Sequence, residues 1–127
     1  MDSRPNVYIA APWPDYMPAR LCASWFRTCD VHVVSTWHDS EFAGQSEIPG
    51  VSQADEAQRD LLQVAQSDFL VVLNTRQSEG KAVETGAALA LGITVIVVGD
   101  RTNVFHHLTR VFVVKDWNPA LNIIRGY

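Results

Sequence analysis

Apolar residues fall in short, nearly unbroken runs along this chain: "VYIAA" (7–11), "VHVVST" (31–36), "DFLVVLN" (68–74), "TVIVVGD" (94–100) and "RVFVVKD" (110–116). Runs of this length, rich in β-branched residues and not alternating with polar ones, read as strands covered on both faces. Between them the apolar positions recur at helical spacing. That spacing predicts helices over about 16–29, 53–66 and 80–91, a short one near 103–108, and a last one over 119–125. Alternating strands and helices predict an α/β protein, a single doubly wound domain over residues 1–127 with a five-stranded parallel sheet in the order 2-1-3-4-5. The irregular stretch from Trp37 to Val51, with "EFAGQSEIPG" inside it, reads as a loop over the sheet's edge.

Composition narrows the picture mainly by exclusion. With 47% hydrophobic and 19% charged residues the chain can bury a core. A formal net charge of −4 shows no basic footprint for nucleic acid. No apolar run of about 18 residues is present, so no membrane span is expected, and no signal peptide is visible. Cys22 and Cys29 lie seven apart on a predicted helix, about 10 Å along one face, too far to bridge. They read as buried, reduced thiols of a cytoplasmic protein.

In Rossmann-like or flavodoxin-like sheets the ligand lies beyond the carboxyl ends of the strands. Here those ends carry "PWPDY", "WHDSE", "TRQSEG" and "DRTN". Pro12 and Pro14 leave the first turn without the glycines that a dinucleotide or FMN phosphate needs. The third strand ends in Asn74 and Thr75, not in the aspartate that a phosphoacceptor domain requires. No cofactor and no metal site are expected.

Two carboxylates near this edge invite a chemical reading. "SEGKAVETGAALALG" (78–92) predicts a helix starting at Gly80 or Lys81, with Gly86, Ala87, Ala88 and Ala90 allowing close approach to the sheet. Glu84 then falls in the first turn or just after it, where the helix dipole favours its ionised form. The plain alternative is a surface charge complementing that dipole. In "QADEAQRDLLQVAQSD", Ala54, Ala57, Leu61 and Val64 share one face as a core stripe, and Asp60 stands at its rim. Two acids at one edge suit acid–base or nucleophilic work on a small molecule.

Asp60-Leu61, then Ser67-Asp68 before an apolar strand, then Gly80, Glu84, Gly86, Ala88 and Gly92 form a pattern. It resembles the nucleoside 2-deoxyribosyltransferase family, including its relatives the 2′-deoxynucleoside 5′-phosphate N-hydrolases. "VYIAAPW" is similar to that family's tyrosine-containing first strand, and Trp13 matches a tryptophan of the transferases. The likeness covers most of the chain and is weakest between residues 38 and 52.

The resemblance implies cleavage or transfer of the N-glycosidic bond of a nucleoside or its 5′-monophosphate. Glu84 would attack the anomeric carbon, Tyr8 would orient it by a hydrogen bond, and Asp60 would handle protons or position a sugar hydroxyl. Trp13 and Trp37, each after a strand, could sandwich the base, with His38 bonding its edge. Ser78, six residues before Glu84, would meet the 5′ end together with backbone donors at Gly80. A serine there is typical of the monophosphate hydrolases. Their Ser-x-Arg phosphate clamp is absent, however: Pro12-Trp13-Pro14 stands in its place, and Arg20, Arg76, Lys81 or Arg101 could substitute. Asn103 or His106 would complete a neighbouring subunit's pocket, which implies a homodimer or larger homo-oligomer; Tyr127 could also reach the site. Two other readings share the fold: a non-catalytic nucleotide-binding sensor, and a NAD glycohydrolase-like enzyme.

Overall fold

The computed structural model describes residues 3–43 and 48–126. Along the chain run β1 (Asn6–Ala10), α1 (Tyr16–Thr28), β2 (His32–Val33), α2 (Gln53–Ala65), β3 (Phe69–Asn74), α3 (Glu79–Ala90), β4 (Thr94–Gly99), β5 (Val111–Val114) and α4 (Trp117–Arg125). Short 3-10 turns lie at Trp13–Asp15, Trp37–Asp39 and Val104–His107. The strands form one all-parallel sheet in the order β2-β1-β3-β4-β5. That is the order expected from the sequence. Residues 44–47 of the long 37–51 segment, and Tyr127, lie outside the described residues.

The core is the sheet's own β-branched content. Ile9, Leu70, Val71 and Ile96 are fully buried, as is Phe26 of α1. The aromatic pair Trp25–Trp117, with ring centroids 6.2 Å apart, joins α1 to α4. Right-handed crossovers put α2 and α3 on the opposite face, where α3 packs on β4, β3 and β1. Gly92, at φ +75, closes α3 in the left-handed conformation that glycine adopts without strain.

Two expectations are corrected. The second strand, expected over 31–36, pairs through His32 and Val33 only. Its ladder ends because Ile9 N–H is taken by the Ser35 side chain, Oγ at 3.0 Å, instead of by a backbone carbonyl. The expected core stripe of α2 is also absent as such: of its four positions only Val64 is buried, while Ala54, Ala57 and Leu61 are exposed. Helical spacing gathers apolar residues on one face, but a face is buried only if something covers it.

Candidate active site

Ser78 caps α3, its Oγ accepting from Lys81 N–H at 3.3 Å. Glu79 is therefore the first helical residue, and Glu84 is the sixth, in the second turn. This corrects the expectation that the helix start holds Glu84 ionised, since the dipole's influence fades beyond the first turn. Burial decides the state of this carboxyl instead. It pushes the pKa up to about 7, against the pull of the Tyr8 hydrogen bond and with a further push from the charge of Asp60.

Tyr8 lies on β1, fully buried, and its hydroxyl donates to Glu84 Oε2. Burial first, and then the negative charges of Glu84 and Asp60, hold the phenol far above its ordinary pKa, so it remains a proton donor. Asp60 stands half-buried on α2, its Oδ1 receiving Arg59 Nη2 at 3.2 Å. Desolvation raises its pKa, and the guanidinium of Arg59 opposes that rise. β1, α2 and α3 thus bring together three residues that lie far apart in sequence. Tyr8 is a hydrogen-bond donor here, and burial raises the pKa of the two carboxyls.

The aromatic and histidine positions divide differently. Trp37 is buried, and its indole Nε1 donates to the carbonyl of Ile9 at 2.8 Å. His38 is fully buried, with Nε2 on Ser35 Oγ at 2.8 Å and Nδ1 on Asp39 Oδ1 at 3.1 Å. Burial lowers its pKa. With both ring nitrogens engaged inside the chain, His38 has no free edge to offer a base. Trp13 is half-buried, its ring 5.9 Å from that of Trp37 and tilted by 31°. Its buried Nε1 has no hydrogen-bond partner among the described residues.

Ser78, Asn103 and His106 meet elsewhere. They line a cavity of about 850 Å³ on the flank of α3 that carries Lys81, Thr85 and Leu89; Tyr8, Asp60 and Glu84 are not part of its wall. His106 is buried and its Nδ1 accepts from Thr102 N–H at 3.0 Å. Its pKa is lowered by burial and then by the charge of Lys81. Gly80 is exposed in the first turn of α3. Sequence reasoning missed two features: Ser35, which joins Ile9 to His38, and the burial of Lys81. A lysine set among alanines on a helix packed against a sheet was the available signal for the second.

No family model matches the chain, and no curated protein matches it. Solved structures do. The CMP N-glycosidase of Clostridium botulinum superposes with a TM-score of 0.64 at 15% identity, covering 96% of this chain and 99% of that one. A conserved protein from Enterococcus faecalis V583 gives 0.72 at 17%, covering 98% and 99%. The 2-deoxyribosyltransferase of Bacillus psychrosaccharolyticus gives 0.62 at 21%, covering 92% and 90%. The chain has the fold of these proteins. At such identities the likeness speaks for the fold, and chemistry has to come from the site.

Proposed function

We propose that this protein is an enzyme that breaks the N-glycosidic bond of a nucleoside or its 5′-monophosphate, with Glu84 as nucleophile. The observation that carries the reading is the hydrogen bond from the buried Tyr8 hydroxyl to Glu84 Oε2, with Asp60 close enough for its charge to act on both. A structural glutamate gains nothing from being buried against a second acid. A nucleophile gains a fixed orientation, with Oε1 left free to attack. Two of the superposable proteins named above are a CMP N-glycosidase and a 2-deoxyribosyltransferase, which supports the class.

In this mechanism ionised Glu84 attacks the anomeric carbon and the base departs with the bonding electrons. The glycosyl-enzyme ester is then opened by water or by a second base, as in retaining glycosidases. Asp60, its carboxyl raised by burial, is placed to relay a proton or to hold a sugar hydroxyl. Trp13, whose indole N–H has no partner among the described residues, is the aromatic surface for the base. Trp37 backs it from within, and His38 acts by fixing this wall.

The reading includes a homo-oligomer. Val104 and Phe105 of the 104–107 turn are 75% and 59% exposed, an apolar pair suited to a neighbouring copy, which would also bring Asn103 and His106 near a second site. The experiment that tests the function is a screen of nucleosides and their 5′-monophosphates for released base, followed by chromatography. Release from at least one compound is expected; none from any of them would remove the proposal.

A further inference from the structure

Asp55 and Glu56 stand four and three residues before Arg59 on α2, the spacing at which an acid and a base on one helix meet. The guanidinium turns forward instead. Nε and Nη2 of Arg59 both donate to Asp60 Oδ1, at 3.4 and 3.2 Å. Adjacent side chains on a helix diverge by about 100°, so the arginine has to fold across the helix surface to reach the rim where Asp60 stands. The two side chains are 38% and 26% exposed, and a pair so open to water adds little to stability. Its significance lies in what it does to Asp60.

The two carboxyls of the site are held by different kinds of group. Glu84 is bound by a neutral donor, the Tyr8 hydroxyl, whereas Asp60 is bound by a cation. Desolvation raises the pKa of both. At Asp60 the charge of Arg59 opposes the rise and that of Glu56 adds a smaller push upward; at Glu84 the charge of Asp60 adds to the rise. Arg59 and Glu56 of α2 thus act on Asp60, and its own charge is felt by Tyr8 of β1 and Glu84 of α3. The charge of Arg59 reaches Tyr8 as well, so this cation belongs to the field of the site. Two carboxyls whose surroundings differ in this way divide the work between them. The one beside the cation is the acceptor, and the one against the phenol holds a proton more readily. Both bonds from Arg59 end on one oxygen of Asp60, which leaves the other for a substrate.

We propose that Arg59 is a positioning residue of this reaction: its guanidinium anchors Asp60 by Oδ1 and presents Oδ2 to a hydroxyl of the sugar as a hydrogen-bond acceptor. Naming the sugar rests on the glycosidic reading above; the anchoring of Asp60 does not. Of the two parts open to Asp60, relaying a proton or holding a hydroxyl, the anchored carboxylate performs the second. Arg59 touches no reacting atom and acts through Asp60.

Two measurements, made side by side, test this. The Asp60 carboxyl resonance is titrated against pH in the wild type, Arg59→Met, Arg59→Lys and Glu56→Gln. For each protein kcat and KM are measured with the best substrate of the wild type. Arg59→Met is expected to raise the Asp60 midpoint and to raise KM at least about threefold, with kcat moving less. Arg59→Lys restores a cation and should return both towards wild type, while Glu56→Gln should move the midpoint the opposite way. A merely structural arginine would change the melting temperature and leave the midpoint in place. A midpoint unmoved by Arg59→Met, or a moved midpoint with KM unchanged, overturns the assignment and leaves the glycosidase standing. Should Arg59→Met fail to fold, Arg59→Gln takes its place under the same two criteria. An Asp60 midpoint that follows Arg59 in a protein releasing no base would remove the glycosidic reading and keep the anchored carboxylate.

Discussion

The hydroxyl of Tyr8 donates to Glu84 Oε2 across 76 residues of sequence, tying β1 to the second turn of α3. Because Tyr8 is fully buried and Glu84 half-buried, the bond bears on two properties at once: which oxygen of Glu84 it occupies, and how readily the carboxyl ionises. Tyr8 lowers the pKa of Glu84 while burial and Asp60 raise it. Tyr8→Phe should therefore move the acid limb of the kcat/KM profile to higher pH and reduce its plateau roughly 10- to 100-fold, the worth of one hydrogen bond to a charged group. A pH–rate profile of both proteins checks this, and an unmoved limb would separate Tyr8 from Glu84 ionisation.

The same carboxyl should leave a mark on stability. With a pKa near 7 in the folded state against an ordinary 4.5, Glu84 binds its proton more tightly folded than unfolded. Its contribution is then fully present below about pH 4.5 and is lost as pH rises through about 7. A shift of this size corresponds to something on the order of 3 kcal/mol. Glu84→Gln keeps an acceptor for Tyr8 and removes the titration. It should be more stable than wild type at pH 8 and close to it at pH 5, by denaturant melts at each pH. Parallel pH dependences would mean that burial does not perturb this group.

Much of this was legible in the sequence. The β-branched runs marked all five strands, because a parallel sheet covered on both faces leaves few polar positions to confuse the reading. The hydrogen bond from Tyr8 to Glu84 was implied by the family resemblance, not by periodicity. What the sequence hid depended on which surface covers which. Ala54, Ala57 and Leu61 repeat like a core stripe yet are exposed. Trp37 and His38 follow a strand, as ligand-edge residues do, but turn inward, because Ile9 O and Ser35 Oγ offer them partners that only the fold brings near. Glu84 falls in the second turn because the cap is Ser78 and the helix starts at Glu79, one or two residues earlier than expected.

Ser35→Ala tests the inward reading of His38. It leaves the Ile9 N–H and His38 Nε2 without their partner, at a cost of about 1–3 kcal/mol for each buried group left unsatisfied. The melting temperature should fall while KM changes little. A large rise in KM with stability intact would place His38 in contact with substrate after all.

Phe105→Asp with Val104→Asp tests the proposed assembly. Charging both exposed apolar positions should convert a dimer to monomers in light scattering and lower activity by withdrawing Asn103 and His106 from the neighbour's site. A wild type that is monomeric and fully active would remove the oligomer from the account.

The most direct measurement is base release by Glu84→Gln, using the best substrate found for the wild type, with folding checked by circular dichroism. The amide keeps the size and the hydrogen bond to Tyr8 but cannot form the glycosyl ester. Turnover should fall by about 10³-fold or more, as removal of a nucleophile does. Release at near wild-type rates would show that Glu84 is a buried structural acid and that the bond is broken by something else.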